Sequence, residues 1–438
     1  MLVAIKPVCR VYSVLHTYAV TICLLLWLVA PASLANADDK ARIKGLLASM
    51  TLEQKVGQMI QGEIKSVTPD DVTKYHLGSI LNGGGSFPNG DKNATLNDWL
   101  STADQYYNAS LDTSKGGAGI PIIWGTDAVH GHNNVMGATL FPHNIGLGAA
   151  NDPRLLHQIG RITALEVAVT GIDWVFAPTV AVVKDYRWGR TYEGYSSDSP
   201  IVKAYAAQIV TGIQGAPGEM RTNHERLIGT AKHFIGDGGT NWGTGTLKEG
   251  LHTYLIDRGD TRISEKELRE VHLPPYLEAI KAGVKTIMIS FNSWNGVKCH
   301  GSKFLVNDLL KEELGFQGLV VSDWAGIDEI PGDYKSDIIS SVNAGIDLVM
   351  VPGSLYGQNH YKTFIKLLKE SIEEGSITIA RIDDAVTRIL RVKYELNLFE
   401  DPFGNTEYAK FVGAKEHRDI ARNAVKKSVV LLKNNQNI

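Results

Sequence analysis

The chain has 438 residues, 44% hydrophobic and 21% charged, with a formal net charge of −3. That balance excludes an intrinsically disordered chain. A near-neutral charge without a basic block also argues against a binder that relies on nucleic-acid phosphates. The length accommodates two or three ordinary domains, or one large α/β barrel with an attachment.

The first 40 residues carry a targeting pattern. Lys6 and Arg10 form a weak basic region, Ala19–Ala30 is apolar, and Ala35-Asn36-Ala37 supplies a small-x-small cleavage site before Asp38-Asp39-Lys40. About a dozen apolar residues is short for a membrane span, which needs roughly 20. Residues 1–37 are therefore expected to be a cleaved signal peptide, with no membrane segment left afterwards. An uncleaved anchor helix is the alternative. Cleavage removes Cys9 and Cys23 and leaves Cys299 alone, so the mature chain has no intramolecular disulfide. Export without disulfides fits a secreted bacterial protein of the periplasm.

Eight short apolar segments follow: Val56–Ile60, Ser79–Leu81, Ile120–Trp124, Asp173–Ala177, Leu227–Phe234, Lys285–Ser290, Gly318–Ser322 and Asp347–Val351. Several are unbroken hydrophobic runs, as expected of parallel strands buried on both faces. Helical patterns lie between them. Asp152-Pro153 opens one that stops at Thr170-Gly171, and Ser264 with Glu267 forms a capping box for one ending at Ala282-Gly283. Asn307–Leu314 stops at Gly315, and Asp337–Ala344 at Gly345. Strand and helix in alternation predict right-handed βαβ units and, over residues 38–399, a (β/α)8 TIM-like barrel. A doubly wound open sheet is the alternative. Residues 400–414 read as a polar linker. Residues 415–438 then read as a helix near Glu416–Lys427 and a strand at Ser428–Lys433, the start of a second α/β sandwich domain of which the chain holds only a stub.

Barrels carry their active sites at the C-terminal ends of the strands, where this sequence places polar and aromatic residues. Asp127 follows the third apolar run and Arg190 lies on the loop after the fourth. Lys232-His233 ends the fifth, Phe291-Asn292-Ser293-Trp294 follows the sixth, and Asp323-Trp324 the seventh. Carboxylates and cationic donors can pair with vicinal hydroxyls while an indole stacks on a sugar ring. Each position also has a purely structural use: Asp323 as a helix cap, Asp127 in a turn, Lys232-His233 as a strand-end pair, the tryptophans as packing. Their coincidence on one face is not required of independent caps. The cluster of His130, His132 and His143 lacks a His-Glu-x-x-His helix or a cysteine partner and reads as structural. Gly83-Gly84-Gly85 lacks a following Gly-Lys-Ser/Thr and reads as a tight loop. No metal or cofactor is implied.

Four ordered motifs, Thr126-Asp127-Ala128-Val129-His130-Gly131, Asp185-Tyr186-Arg187-Trp188-Gly189-Arg190, Ala231-Lys232-His233-Phe234 and Val321-Ser322-Asp323-Trp324, together resemble glycoside hydrolase family 3, in its exo-β-glucanase and β-glucosidase branch. The resemblance runs from about Met50 to the last residue. It implies a retaining β-glucosidase that removes terminal β-D-glucosyl residues from β-glucan oligosaccharides, with Asp323 as the nucleophile of a glycosyl-enzyme intermediate. It also implies that Asp127, Arg190, Lys232 and His233 hold the terminal glucose, that Trp324 walls the neighbouring subsite, and that Asp323 stays ionised beside Arg190 and Lys232.

Three departures stand out. The family's acid/base Glu comes from a second domain and is expected beyond this chain. The single-domain N-acetylglucosaminidase branch uses a His on the loop after Lys-His, but residues 236–245 hold none. Phe291 stands where Tyr is usual, and Lys184 where Arg is. A non-catalytic sugar-binding fragment therefore remains an alternative, as does, more distantly, an N-acetylglucosaminidase.

Overall fold

The computed structural model describes residues 39–219, 227–352, 361–400 and 406–435. The expected signal peptide and residues 401–405 of the expected linker lie outside them. The chain divides into two compact units, up to Ser49 and from Met50 onward. In the first, residues 39–49 form a helix. No helix among the described residues is long and apolar enough to cross a membrane.

The second unit is built on eight strands: β1 (Ile60–Glu63), β2 (Ser79–Asn82), β3 (Ile123–Thr126), β4 (Trp174–Val175), β5 (Ile228–Phe234), β6 (Thr286–Ile289), β7 (Leu319–Val321) and β8 (Val349–Val351). They pair in parallel in the order β7-β6-β5-β4-β3-β2-β1-β8. The two ends of that order meet. Val321 bridges Leu348, and the Ser322 N–H donates to the Leu348 carbonyl at 3.0 Å. The sheet is therefore a closed (β/α)8 barrel rather than an open doubly wound sheet. Closure removes both sheet edges, and every strand residue is buried. Inside the barrel the Trp174 indole N–H reaches Thr230 Oγ1 at 2.7 Å and Thr286 Oγ1 at 3.1 Å, so a polar layer spans three strands.

Several boundaries differ from the sequence expectation. The first strand begins at Ile60 because residues 52–58 are a helix, started by a capping box between Thr51 and Gln54. A short apolar run fits either element, and the cap decides. The third strand pairs only from Ile123. The helix expected at Asn307 begins at Phe304. That expected at Asp337 begins at Tyr334, where Asp333 caps it reciprocally with Ser336. The helix stopped by Gly345 ends as read, and that expected to stop at Gly171 ends slightly earlier, at Ala168; both glycines have positive φ.

The final helix, Lys415–Ser428, matches expectation, but residues 429–434 form no strand. A strand exists only through its ladder, and among the described residues no β-ladder includes this segment. Leu432 is 91% exposed. The helix itself packs on helices 144–150 and 153–168.

Candidate functional site

A cavity of about 280 Å³ opens at the C-terminal end of the barrel. Of the residues singled out in the sequence, Asp127, Arg190, Lys232, His233, Asp323 and Trp324 line it. Asp127 directly follows β3, Arg190 comes from the loop after β4, and Asp323-Trp324 follow β7. Lys232 and His233 are consecutive in β5, where a regular strand would point them to opposite faces. The β5–β6 register shifts between Ala231 and Phe234, and both side chains reach the cavity. A local irregularity re-aims side chains in this way.

Phe291, Asn292, Ser293 and Trp294 do not line this cavity. Phe291 lines an adjoining cavity of about 240 Å³, with Arg190 and Asp237 also on its wall. The Arg258 guanidinium lies over its ring at 4.0 Å.

Asp323 sits at the centre of the polar groups. Its Oδ1 accepts the Trp324 N–H at 2.7 Å, while its Oδ2 is buried with no hydrogen-bond partner. Nearest to Oδ2 are His233 Nε2 at 3.6 Å and Arg190 Nη1 at 4.0 Å. The Asp323 backbone N–H donates to His300 Nε2 at 3.0 Å. Burial pushes His300 down to about 3, so it stays neutral.

The remaining groups are paired. Lys232 Nζ donates to Asp127 Oδ1 at 2.7 Å. Arg190 makes a two-pronged contact with Glu193, at 2.6 and 3.0 Å. Arg190 Nη2 also lies 2.9 Å from His233 Nε2. A guanidinium only donates, so Nε2 accepts and the ring proton sits on Nδ1, 2.8 Å from Asp237 Oδ2.

Burial, then Arg190 and Lys232, hold His233 well below its ordinary range. Burial raises Asp237 to about 7 against the opposing pull of Arg190. Asp323 is also raised, burial outweighing Arg190, Lys232 and the Trp324 N–H. The direction is thus opposite to the one expected from its cationic neighbours alone. Glu193 is lowered, because Arg190 and Lys232 overcome the penalty of burial.

Sequence reasoning missed Glu193, which holds Arg190 in place. It also assigned His130 and His143 a structural role. Both line the cavity, with ring centroids 4.0 Å apart, whereas His132 is buried against Thr170. The i,i+3 spacing of Arg190 and Glu193 was the available signal. Nothing in the spacing of the histidines separates rim from core. Among the described residues, no group of three or more His, Cys, Asp or Glu side chains is arranged to hold a metal ion.

A closed parallel barrel with a pocket of carboxylates, cations and an indole at its strand C-termini is the architecture of a barrel protein that holds a polar small molecule. The chain belongs to glycosyl hydrolase family 3: residues 51–392 match the glycosyl hydrolase family 3 N terminal domain.

It is 32% identical to the lysosomal beta glucosidase of Dictyostelium discoideum, over 90% of this chain and 49% of that protein. It is 29% identical to the periplasmic beta-glucosidase of Salmonella typhimurium, over 90% and 48%. Among solved structures, the exo-1,3/1,4-beta-glucanase ExoP from a Pseudoalteromonas species is 48% identical with a TM-score of 0.84, over 91% of this chain and 48% of that one. The chain spans about half the length of these relatives.

Proposed function

We propose that the pocket holds a terminal β-D-glucosyl residue and that Asp323 attacks its anomeric carbon to give a covalent glycosyl-enzyme, the first half of retaining hydrolysis. The observation that carries this reading is Asp323 Oδ2, a buried carboxylate oxygen without a hydrogen-bond partner, on the cavity wall. That oxygen faces the site where a sugar's anomeric carbon would have to lie, so it is free to act as the attacking atom. In this reading Asp127, Lys232, Arg190 and His233 take the glucose hydroxyls, and Trp324 forms the wall against the next sugar. The β-glucosidase and exo-glucanase names of the relatives support the substrate class. The periplasmic relative and the pattern of residues 1–37 support export.

Retaining hydrolysis also needs a second carboxyl about 5–5.5 Å away to protonate the leaving group. Among the described pocket residues the other carboxylates are engaged, Asp127 by Lys232 and Glu193 by Arg190. Protonation therefore falls to a group outside them, as in a family member whose second domain completes the site. General acid catalysis is worth about 10²–10⁴-fold, so a substrate with a good leaving group isolates the nucleophilic step from it.

The test uses a 2-deoxy-2-fluoro-β-glucoside with an activated leaving group, read by intact-protein mass. The wild-type chain should gain one fluoroglucosyl unit, and Asp323→Ala none. The rate of labelling should fall as pH drops, with a midpoint above that of an ordinary aspartate, because only ionised Asp323 attacks and burial raises its folded pKa. Glucose binding by calorimetry without any label would favour the sugar-binding reading instead.

A further inference from the structure

The β5 loop carries an indole that the pocket does not use. Trp242 is 49% exposed, and the Arg187 guanidinium lies over its ring at 4.0 Å. Arg187 covers one face of the ring, and about half of the side chain is exposed.

The indole is not on a floppy tip. Its neighbours are tied on both sides, the Asn241 N–H to the Asp260 carbonyl at 2.9 Å and the Gly243 N–H to the Leu255 carbonyl at 2.7 Å. The Asn241 side chain accepts the Arg262 N–H at 2.8 Å. Arg187 is fixed in turn, its Nε donating to Asp185 Oδ1 at 2.9 Å. An exposed aromatic held this rigidly has already lost the freedom that binding would otherwise cost it.

The position relates it to the pocket. Arg187 lies three residues before Arg190, and Trp242 lies on the loop that follows β5, the strand that carries Lys232 and His233. The two loops are joined where the Gly189 N–H donates to Asp257 Oδ1 at 2.9 Å and where Trp188 packs on Ile256. A cavity of about 280 Å³ is at the small end for a ligand site and suits a single terminal ring. The rest of a longer chain must then lie outside the cavity, over the loops that surround it.

We infer that the Trp242–Arg187 stack is a platform for a distal sugar of a β-linked glucosyl oligosaccharide, beyond the ring next to the pocket. The indole face opposite Arg187 stacks on the apolar face of that sugar, and Arg187 and Asp185 border it with hydrogen-bonding groups. This rests on the glucosidase reading of the pocket. The platform sets preference for chain length and leaves the reacting ring untouched.

The test compares wild type, Trp242→Ala and Trp242→Phe by calorimetry with glucose, laminaritetraose and cellotetraose, alongside thermal melting. Trp242→Ala should weaken the better tetrasaccharide about tenfold, as expected for loss of one aromatic contact. Glucose affinity should be unchanged, and Trp242→Phe should restore most of the loss. Equal tetrasaccharide affinity in wild type and Trp242→Ala, with glucose still bound, overturns the platform alone. A loss shared equally by glucose and tetrasaccharide also overturns it and makes Trp242 a structural residue. Failure of the wild type to bind glucose or either tetrasaccharide overturns the glucosidase reading and the platform with it.

Discussion

Gly83 shows how one missing side chain shapes the site. A Cβ built there would lie 2.7 Å from Trp324 Cη2 and 2.8 Å from Cζ3, whereas at Gly84 it would meet nothing within 4 Å. The glycine run read as a tight loop is therefore also the seat of the indole beside Asp323. Gly83→Val should force Trp324 from its place, costing about 1–3 kcal/mol and changing its fluorescence, whereas Gly84→Val should leave both nearly unchanged. Urea melts and tryptophan emission of the two variants decide this. At this scale Asp127, Lys232, His233, Asp323 and Trp324 were legible because each sits at or just beyond a strand end, and Arg190 because it lies on the loop that leaves the fourth strand. Phe291 had the same position and still fell into the next cavity. Its side chain turns under Arg258, a contact between segments more than 30 residues apart that no local pattern records.

Among the elements, the last helix is held by one buried carboxylate. Glu166, on helix 153–168, accepts from the Thr139 N–H at 2.6 Å, Thr139 Oγ1 at 2.8 Å and the Gly413 N–H at 3.1 Å, and pairs with His417 Nδ1 at 2.6 Å. These contacts tie the segment just before helix 415–428 to the loop that leads to His143 at the pocket rim. Glu166→Ala leaves several buried donors unpaired, each worth about 1–3 kcal/mol. The loss should total at least about 3 kcal/mol. Hydrogen exchange should show it first in the amides of residues 415–428, while the barrel strands keep their protection. Equal deprotection of strands and helix would mean that the helix has no separate stability. Helix starts such as Asp152-Pro153 were readable because a cap is local chemistry. The capping role of Asp333 was not singled out, and the arrival of Thr139, Gly413 and His417 at one carboxylate is not a sequence pattern at all.

For the whole molecule, the decisive step is closing β7 onto β8. Asp347 does much of this with its side chain. Its Oδ2 accepts the Val320 N–H at 2.9 Å, and its backbone N–H returns a bond to the Val320 carbonyl. Its Oδ1 meets Lys311 Nζ at 2.6 Å and Arg381 Nη2 at 2.5 Å. Asp347 is fully buried and Lys311 nearly so. Asp347→Ala leaves Lys311 and Arg381 sharing Asp384 alone and strands the buried Val320 N–H, and should cost up to about 3–5 kcal/mol, the range for a broken buried ion pair. Lys311→Met should cost less, because Arg381 still neutralises Asp347. Chemical denaturation of both variants checks the order, and a reversed order would place the stabilisation on Lys311 rather than on closure.

Sequence alone determined that the chain alternates eight buried strands with helices, and that carboxylates, cations and an indole gather at one end of them. Those features follow from residue type and short-range periodicity, which act within a few residues. Tertiary structure decided the rest: closure through Asp347, the shared use of Lys232 and His233 through the β5 irregularity, and the place of Phe291 outside the pocket. It also decided the sign of the shift at Asp323. Cationic neighbours predict a lowered carboxylate, but how deeply the barrel buries Asp323 depends on strands and loops far apart in the chain.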